Sequence, residues 1–156
     1  MVAPIRERLN LHLMHLSSLL KRPVTLGVKA VVTDVDERIL LVRHGYLPGW
    51  HFPGGGVEAG ETCVQALARE LEEEAMITID APPLLHGIFH NVHASRRDHV
   101  VVYLVCRFRI LGQRKPDWEI REARFFPRSM LPQGTTMATR ARLAEIFEKA
   151  PIAVHW

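Results

Sequence analysis

Glu70, Glu73 and Glu74 are spaced so that a helix would carry all three carboxylates on one face. Shortly before them, Pro53-Gly54-Gly55-Gly56 is a run that neither helix nor strand tolerates. At about 100° per residue, Val64, Leu67, Ala68 and Leu71 fall on a separate apolar arc. Cys63 and Ala66 lie on the turn beneath Glu70, and their small side chains are expected to leave that face hollow enough for an ion and a ligand. Arg69 stands one turn from Glu73 and can hold it by an ion pair. Most acidic helix faces are simply solvated. Here Glu70, Glu72, Glu73 and Glu74 occupy the last turns, where the helix dipole is negative, each at a cost of about 0.3–1 kcal/mol. Glu70 also repels Glu74 one turn away. A divalent cation removes both penalties, and carboxylate oxygens suit Mg²⁺ or Mn²⁺. The glycine run adds backbone carbonyls for a metal and close backbone approach for a phosphate. Carboxylates and loop together read as a metal-phosphate site.

The surrounding pattern supplies the elements that would hold this site. Aliphatic and β-branched runs at Val24–Thr33 and Ile39–Val42 flank a charged turn and predict a hairpin. Gly45–Gly49 reads as a loop, Trp50–Phe52 as a short strand and Thr62–Ala75 as the acidic helix. Strands are expected at Leu84–Val92, Val100–Phe108 and Ala123–Phe126. A last helix is expected over residues 136–150, capped by Thr135 or Thr136 and stopped by Pro151. Ile5, Leu9, Leu13, Leu16 and Leu20 give residues 1–22 an amphipathic helical pattern ended by Pro23, suited to packing on the domain or on a second copy in a homodimer. The expected class is α/β, a mixed central sheet with helices on both faces.

The segment Gly55–Ile77 resembles the signature box of the Nudix hydrolases, with Gly55, Glu61, Arg69, Glu70, Leu71, Glu73, Glu74 and Ile77 in register. Trp50-His51-Phe52-Pro53-Gly54-Gly55 is similar to the strand and loop that lead into that box. The resemblance covers residues 24–126, the core, and implies the family's α/β/α sandwich. It also implies Glu70, Glu73, Glu74 and the Gly54 carbonyl as metal ligands, Glu61 as an outer-sphere residue and Arg69 as the orienter of a box glutamate. The implied reaction is attack of water on a diphosphate linked to a nucleoside, dependent on Mg²⁺ or Mn²⁺. The proton acceptor is Glu73, Glu119 or Glu122. The chain departs from the box at Met76, where the family has glycine. Met takes the left-handed conformation only with strain, so the helix is expected to run on or end differently.

Substrate contacts are expected at Gly55, at Arg43 and His44, which end a strand pointing toward the glycine run, and at Tyr46 and Trp50, which could stack a base. Arg96 or Arg97, in a polar loop, could pair with a phosphate. Each histidine taken alone reads as structural, and Cys63 as a small filler. The proline that ADP-ribose hydrolases carry downstream of the box is His93 here, and the marks of the diadenosine polyphosphate and coenzyme A subfamilies are absent. A nucleoside triphosphate or a nucleoside diphosphate derivative remains.

A chain of 156 residues, 47% hydrophobic and 24% charged, is the size and composition of a single globular domain, residues 1–156, and excludes collagen-like, disordered and membrane-spanning classes. It is long enough to fold without a metal, so a metal would serve chemistry. The net charge of +3 is scattered, which suits an anionic small molecule and argues against a nucleic-acid partner. Cys63 and Cys106 read as free thiols in the cytoplasm. Two rival readings are a non-catalytic nucleotide sensor, which should lack the ligand glutamates that this chain keeps, and an enzyme trimming RNA 5′ ends.

Overall fold

The computed structural model describes residues 18, 19 and 21–156. Residues 1–17 and 20 of the amphipathic N-terminal segment, and with them the expected homodimer surface, lie outside the described residues. Seven strands follow in the order β1 (Thr25–Val32), β2 (Arg38–His44), β3 (Ile77–Ile79), β4 (Leu84–His90), β5 (Asp98–Val105), β6 (Phe108–Ile110) and β7 (Ile120–Pro127). Helix α1 (Cys63–Ala75) lies between β2 and β3, and α2 (Met137–Phe147) closes the fold. Strand β5 sits between β1, its parallel partner, and β4, which runs antiparallel. Strands β2 and β7 form an antiparallel pair, as do β3 and β6.

Each sheet face builds its own core. Val28, Ala30, Val32, Val101 and Val105 bury against Ala66, Leu67, Leu71 and Ala75 of α1. Val31, Val100, Val102 and Phe89 face the other way, with Trp50, Phe52 and Leu143 of α2. The result is the expected α/β/α sandwich, with apolar residues on both faces of the strands because both faces are covered.

The hairpin expectation is corrected. The turn forms, with Asp34 Oδ1 accepting from the amides of Asp36 (3.0 Å) and Arg38 (2.8 Å), and Thr33 bridges Ile39. Beyond that bridge the strands part, β1 to β5 and β2 to β7. The turn chemistry reverses the chain, but the ladder partner is chosen by long-range burial. The strand expected at Trp50–Phe52 reduces to isolated bridges, His51 to Val42 and Trp50 to Thr135. The strand expected over Val100–Phe108 breaks after Val105, and β6 turns to pair with β3, a short strand that the sequence pattern does not announce.

Helix α1 opens with a capping box in which Thr62 Oγ1 accepts from the Gln65 amide (3.2 Å) and Gln65 Oε1 accepts from the Thr62 amide (2.9 Å). It ends at Ala75, because Met76 does adopt the left-handed conformation (φ 55°, ψ 44°). That corrects the expected change at the helix end. Ile77, 1% exposed, must turn straight into β3, and the reversal is worth the strain of about 1–2 kcal/mol. Helix α2 starts from Thr136, whose side chain accepts from the Thr139 amide, and stops at Phe147, short of the expected end.

Candidate active site

The glycine run is fixed to β1 before α1 reaches it. The amides of Val28 and Ala30 donate to the carbonyls of Gly55 (2.8 Å) and Pro53 (2.9 Å), and the Val57 amide donates to Leu26 (2.8 Å). At Gly54, φ is +132° and a Cβ would stand 2.1 Å from the Val28 carbonyl oxygen, so only glycine lies this close to the strand. At Gly55 a Cβ would meet Glu70 Oε1 at 2.4 Å. Glu70 therefore presses on the backbone of Gly55, and Glu74 turns inward so that its Oε2 accepts from the Gly54 amide at 2.7 Å.

Arg69 gathers the rest. Its guanidinium donates to Glu61 (2.8 and 3.1 Å), to Glu70 (2.7 Å), to the Gly56 carbonyl (3.0 Å) and, more loosely, to Glu73 (3.4 Å). These hydrogen bonds hold the Glu61 carboxyl below its ordinary range, and the same bonds push Arg69 up. Glu74, 5% exposed, is raised to about 7 by burial, against the pull of Lys29 and of the Gly54 amide. The Lys29 ammonium donates to the Gly54 carbonyl and is lowered by its own burial, with Glu74 and Glu70 opposing that. His44 Nε2 lies 3.7 Å from Glu74 Oε1, and His44 is lowered to about 4 by burial, then by Lys29 and His51. It stands there as a neutral imidazole at pH 7.

Of the site residues expected from sequence, Gly54, Gly55, Glu61, Arg69, Glu70 and Glu74 are brought into mutual contact. Glu73 lies at the rim with its side chain 60% exposed. Glu122 is engaged by Arg43 (3.4 Å) and Arg124 (3.1 Å). Arg97 is exposed in its loop and its carbonyl accepts from the Thr25 amide, beside the groove over the glycine run. Trp50 is a correction: it is 8% exposed and packed edge-on against Phe126 at 4.8 Å, a core residue with no face open to a base. Ala66 is another, since it is fully buried in the core with Cys63 packed on the same cluster, and no hollow lies there. Lys29 joins the site without a sequence motif to mark it. Only its Lys type within an otherwise apolar strand sets it apart.

The groove over the glycine run holds about 270 Å³ and is lined by Gly27, Lys29, Gly54, Gly55, Asn91 and Asp98, among others. A larger cavity of about 490 Å³ lies past the C-terminal end of α1; neither it nor the groove is lined by a box carboxylate, and only the groove borders the glycine run and Lys29. Among the described residues no three His, Cys, Asp or Glu side chains meet closely enough to hold an ion as they stand. The donors nevertheless fit a hard divalent cation. They are carboxylate and carbonyl oxygens only, and a cation, the Lys29 ammonium, already rests among them.

Fold and site thus define an α/β/α protein with a glutamate helix wrapped on a glycine loop. The chain belongs to the NUDIX family: the family model for the NUDIX domain matches residues 23–147, which carries the likeness past Phe126 to the end of α2. The chain is 31% identical over 105 residues to an ADP-ribose pyrophosphatase of Methanocaldococcus jannaschii, covering 65% of this chain and 62% of that protein. It is 49% identical over 48 residues to an RNA pyrophosphohydrolase of Halorhodospira halophila, covering 31% of this chain and 26% of that protein. The chain therefore spans less than two thirds of the length of either relative. Among solved structures, a MutT NUDIX hydrolase from Burkholderia pseudomallei superposes with a TM-score of 0.66 at 27% identity, over 78% of this chain and 97% of that one. No helix among the described residues is long and apolar enough to cross a membrane.

Proposed function

We propose that this chain is a divalent-metal-dependent pyrophosphohydrolase acting on a nucleotide-like small molecule. The observation that carries the reading is the closure of Glu70 and Glu74 on the backbone of Gly55 and Gly54. Glu70, Glu73, Glu74 and the Gly54 carbonyl would hold Mg²⁺ or Mn²⁺. Bound there, the metal supplies charge neutralisation for the phosphate oxygens and acidifies a water.

The chain's own residues do the rest. Arg69 orients Glu70 while Glu61 anchors Arg69 from behind. Gly56 leaves open space for the phosphates, since a Cβ there would meet nothing within 4 Å, whereas the space at Gly55 is taken by Glu70. Glu73, paired loosely with Arg69, Glu122, paired with Arg43 and Arg124, and Glu119 are the carboxylates that could accept the proton. The free thiols Cys63 and Cys106 support a cytoplasmic setting.

The ADP-ribose pyrophosphatase likeness brings ADP-ribose among the substrates to test, although the proline of that subfamily is absent. The local likeness to an RNA pyrophosphohydrolase favours a second reading, a 5′-triphosphorylated RNA end. The deciding experiment is turnover of nucleoside triphosphates, ADP-ribose, nucleotide sugars, dinucleoside polyphosphates and a 5′-triphosphorylated oligoribonucleotide, each with Mg²⁺ or Mn²⁺. Metal-dependent release of two phosphorylated products from one class supports the reading. Release from none of them overturns it.

A further inference from the structure

Trp50 is buried, yet two other rings stand open beside the box. Tyr46, in the loop after β2, is 57% exposed, and Trp118, just before β7, is 73% exposed. Their ring centroids are 6.4 Å apart and their planes inclined by 35°. A planar ring stacked on both sides needs about 7 Å between the outer rings, twice a carbon contact distance of about 3.5 Å. At this spacing the two rings pair directly, and these exposed side chains must part by about 0.6 Å and level their tilt to admit a base.

The slot is built. The Gly45 amide donates to the Glu119 carbonyl at 2.8 Å, which ties the two loops together. A Cβ on Gly45 would lie 2.1 Å from the Trp118 carbonyl oxygen, so glycine is required for the rings to approach. Asp117 accepts from the amides of Glu119 (2.9 Å) and Ile120 (2.8 Å), and Arg114 joins Asp117 (2.6 Å) to the Glu73 carbonyl (2.6 Å). Trp118 is therefore presented from a loop pinned to the glutamate helix. Tyr46 connects the slot to the chemistry: its ring centroid is 5.3 Å from that of His44, whose Nε2 is 3.7 Å from Glu74.

We infer that Tyr46 and Trp118 form a clamp for the nucleobase of the substrate, holding its plane between them so that the attached phosphates run toward Glu74. The inference rests on the pyrophosphohydrolase reading for its substrate class. Two stacked faces hold any base, and the larger purine plane better than a pyrimidine.

The test reads binding separately from turnover. Tryptophan emission is titrated with AMP, a stable product-like probe, and with ribose 5-phosphate, which has no base. AMP is expected to quench saturably and ribose 5-phosphate to leave emission unchanged. Trp118→Ala should abolish the quench. Tyr46→Ala should weaken AMP binding at least fivefold, and Tyr46→Phe should restore it. Equal quenching by ribose 5-phosphate, or a quench that survives in Trp118→Ala, overturns the clamp. If the wild-type chain hydrolyses nucleotides while Trp118→Ala and Tyr46→Ala leave KM unchanged, the clamp falls and the activity reading stands. A saturable AMP quench that both alanine variants lose, without turnover of any substrate, supports the clamp and overturns the activity reading.

Discussion

The ammonium of Lys29 rests on the carbonyl oxygen of Gly54, the same oxygen that the Nudix resemblance assigns to a metal. Lys29 comes from β1 and Gly54 from the loop, so the contact also fastens the glycine run to the sheet. Its charge faces Glu74 and Glu70.

Lys29→Met keeps the length of the side chain and deletes that charge. Without divalent ions, Glu70 and Glu74 then face each other with no counter-charge from β1. A loss of about 1–2 kcal/mol is expected, the lower part of the range for charged hydrogen bonds because the site is partly solvated. Thermal melts in EDTA should show a fall of roughly 2–8 °C for a chain of this size. Mg²⁺ should then raise the variant's melting temperature by more than it raises that of the wild type. Equal shifts would remove Lys29 from the electrostatics of the site.

Arg69→Lys retains the charge but not the planar fork that reaches Glu61, Glu70 and Gly56 together. The Mg²⁺ concentration for half-maximal activity should rise about 10–100-fold, as for other residues that orient metal ligands. An unchanged metal requirement would mean that Glu70 needs no such support.

The pH dependence of stability isolates Glu74. In the folded, metal-free chain Glu74 titrates near 7 against an ordinary 4.5, so the folded state holds the extra proton between those values. Its contribution is fully present below pH 4.5 and is lost as pH rises through 7. His44 runs the other way. It titrates near 4 when folded against 6.5 when free, so its contribution grows as pH climbs through that window. The two slopes oppose each other in the wild type. Glu74→Gln leaves the His44 slope alone, and urea melts in EDTA should show this variant gaining on the wild type between pH 5 and 7 by at most about 3 kcal/mol. A constant difference across that range would contradict the burial argument for Glu74.

Met76→Gly relieves a left-handed methionine. The strain is about 1–2 kcal/mol, partly offset by the greater freedom of glycine in the unfolded chain, about 0.5–1 kcal/mol. A net gain of roughly 0.5–1 kcal/mol in urea denaturation is expected. Loss of stability would show that the methionine side chain contributes more by packing than its backbone costs.

The box was legible because its contacts are local. Arg69, Glu70, Glu73 and Glu74 lie within two turns of one helix, and the glycine run directly precedes it, so spacing alone nearly fixes their meeting. What the sequence hid depends on chain segments far apart. Lys29 meets Gly54 only because β1 is paired to the loop, and Trp118 meets Tyr46 only because β7 pairs with β2 rather than β1 with β2. The false hairpin and the hidden ring pair share that cause. Trp50 misleads for a different reason: it flanks a polar loop in sequence, but Phe126 of β7 closes over it.

We propose that Glu70 and Glu74, closed on Gly54 and Gly55, bind the divalent ion that hydrolysis requires. Mn²⁺ binding followed by electron paramagnetic resonance on the wild type, Glu70→Gln and Glu74→Gln, alongside phosphate release by the same samples, tests it most directly. The expected result is at least a tenfold loss of Mn²⁺ affinity in each variant, with turnover falling by orders of magnitude while circular dichroism stays native. Undiminished Mn²⁺ binding and turnover in both natively folded variants would contradict it.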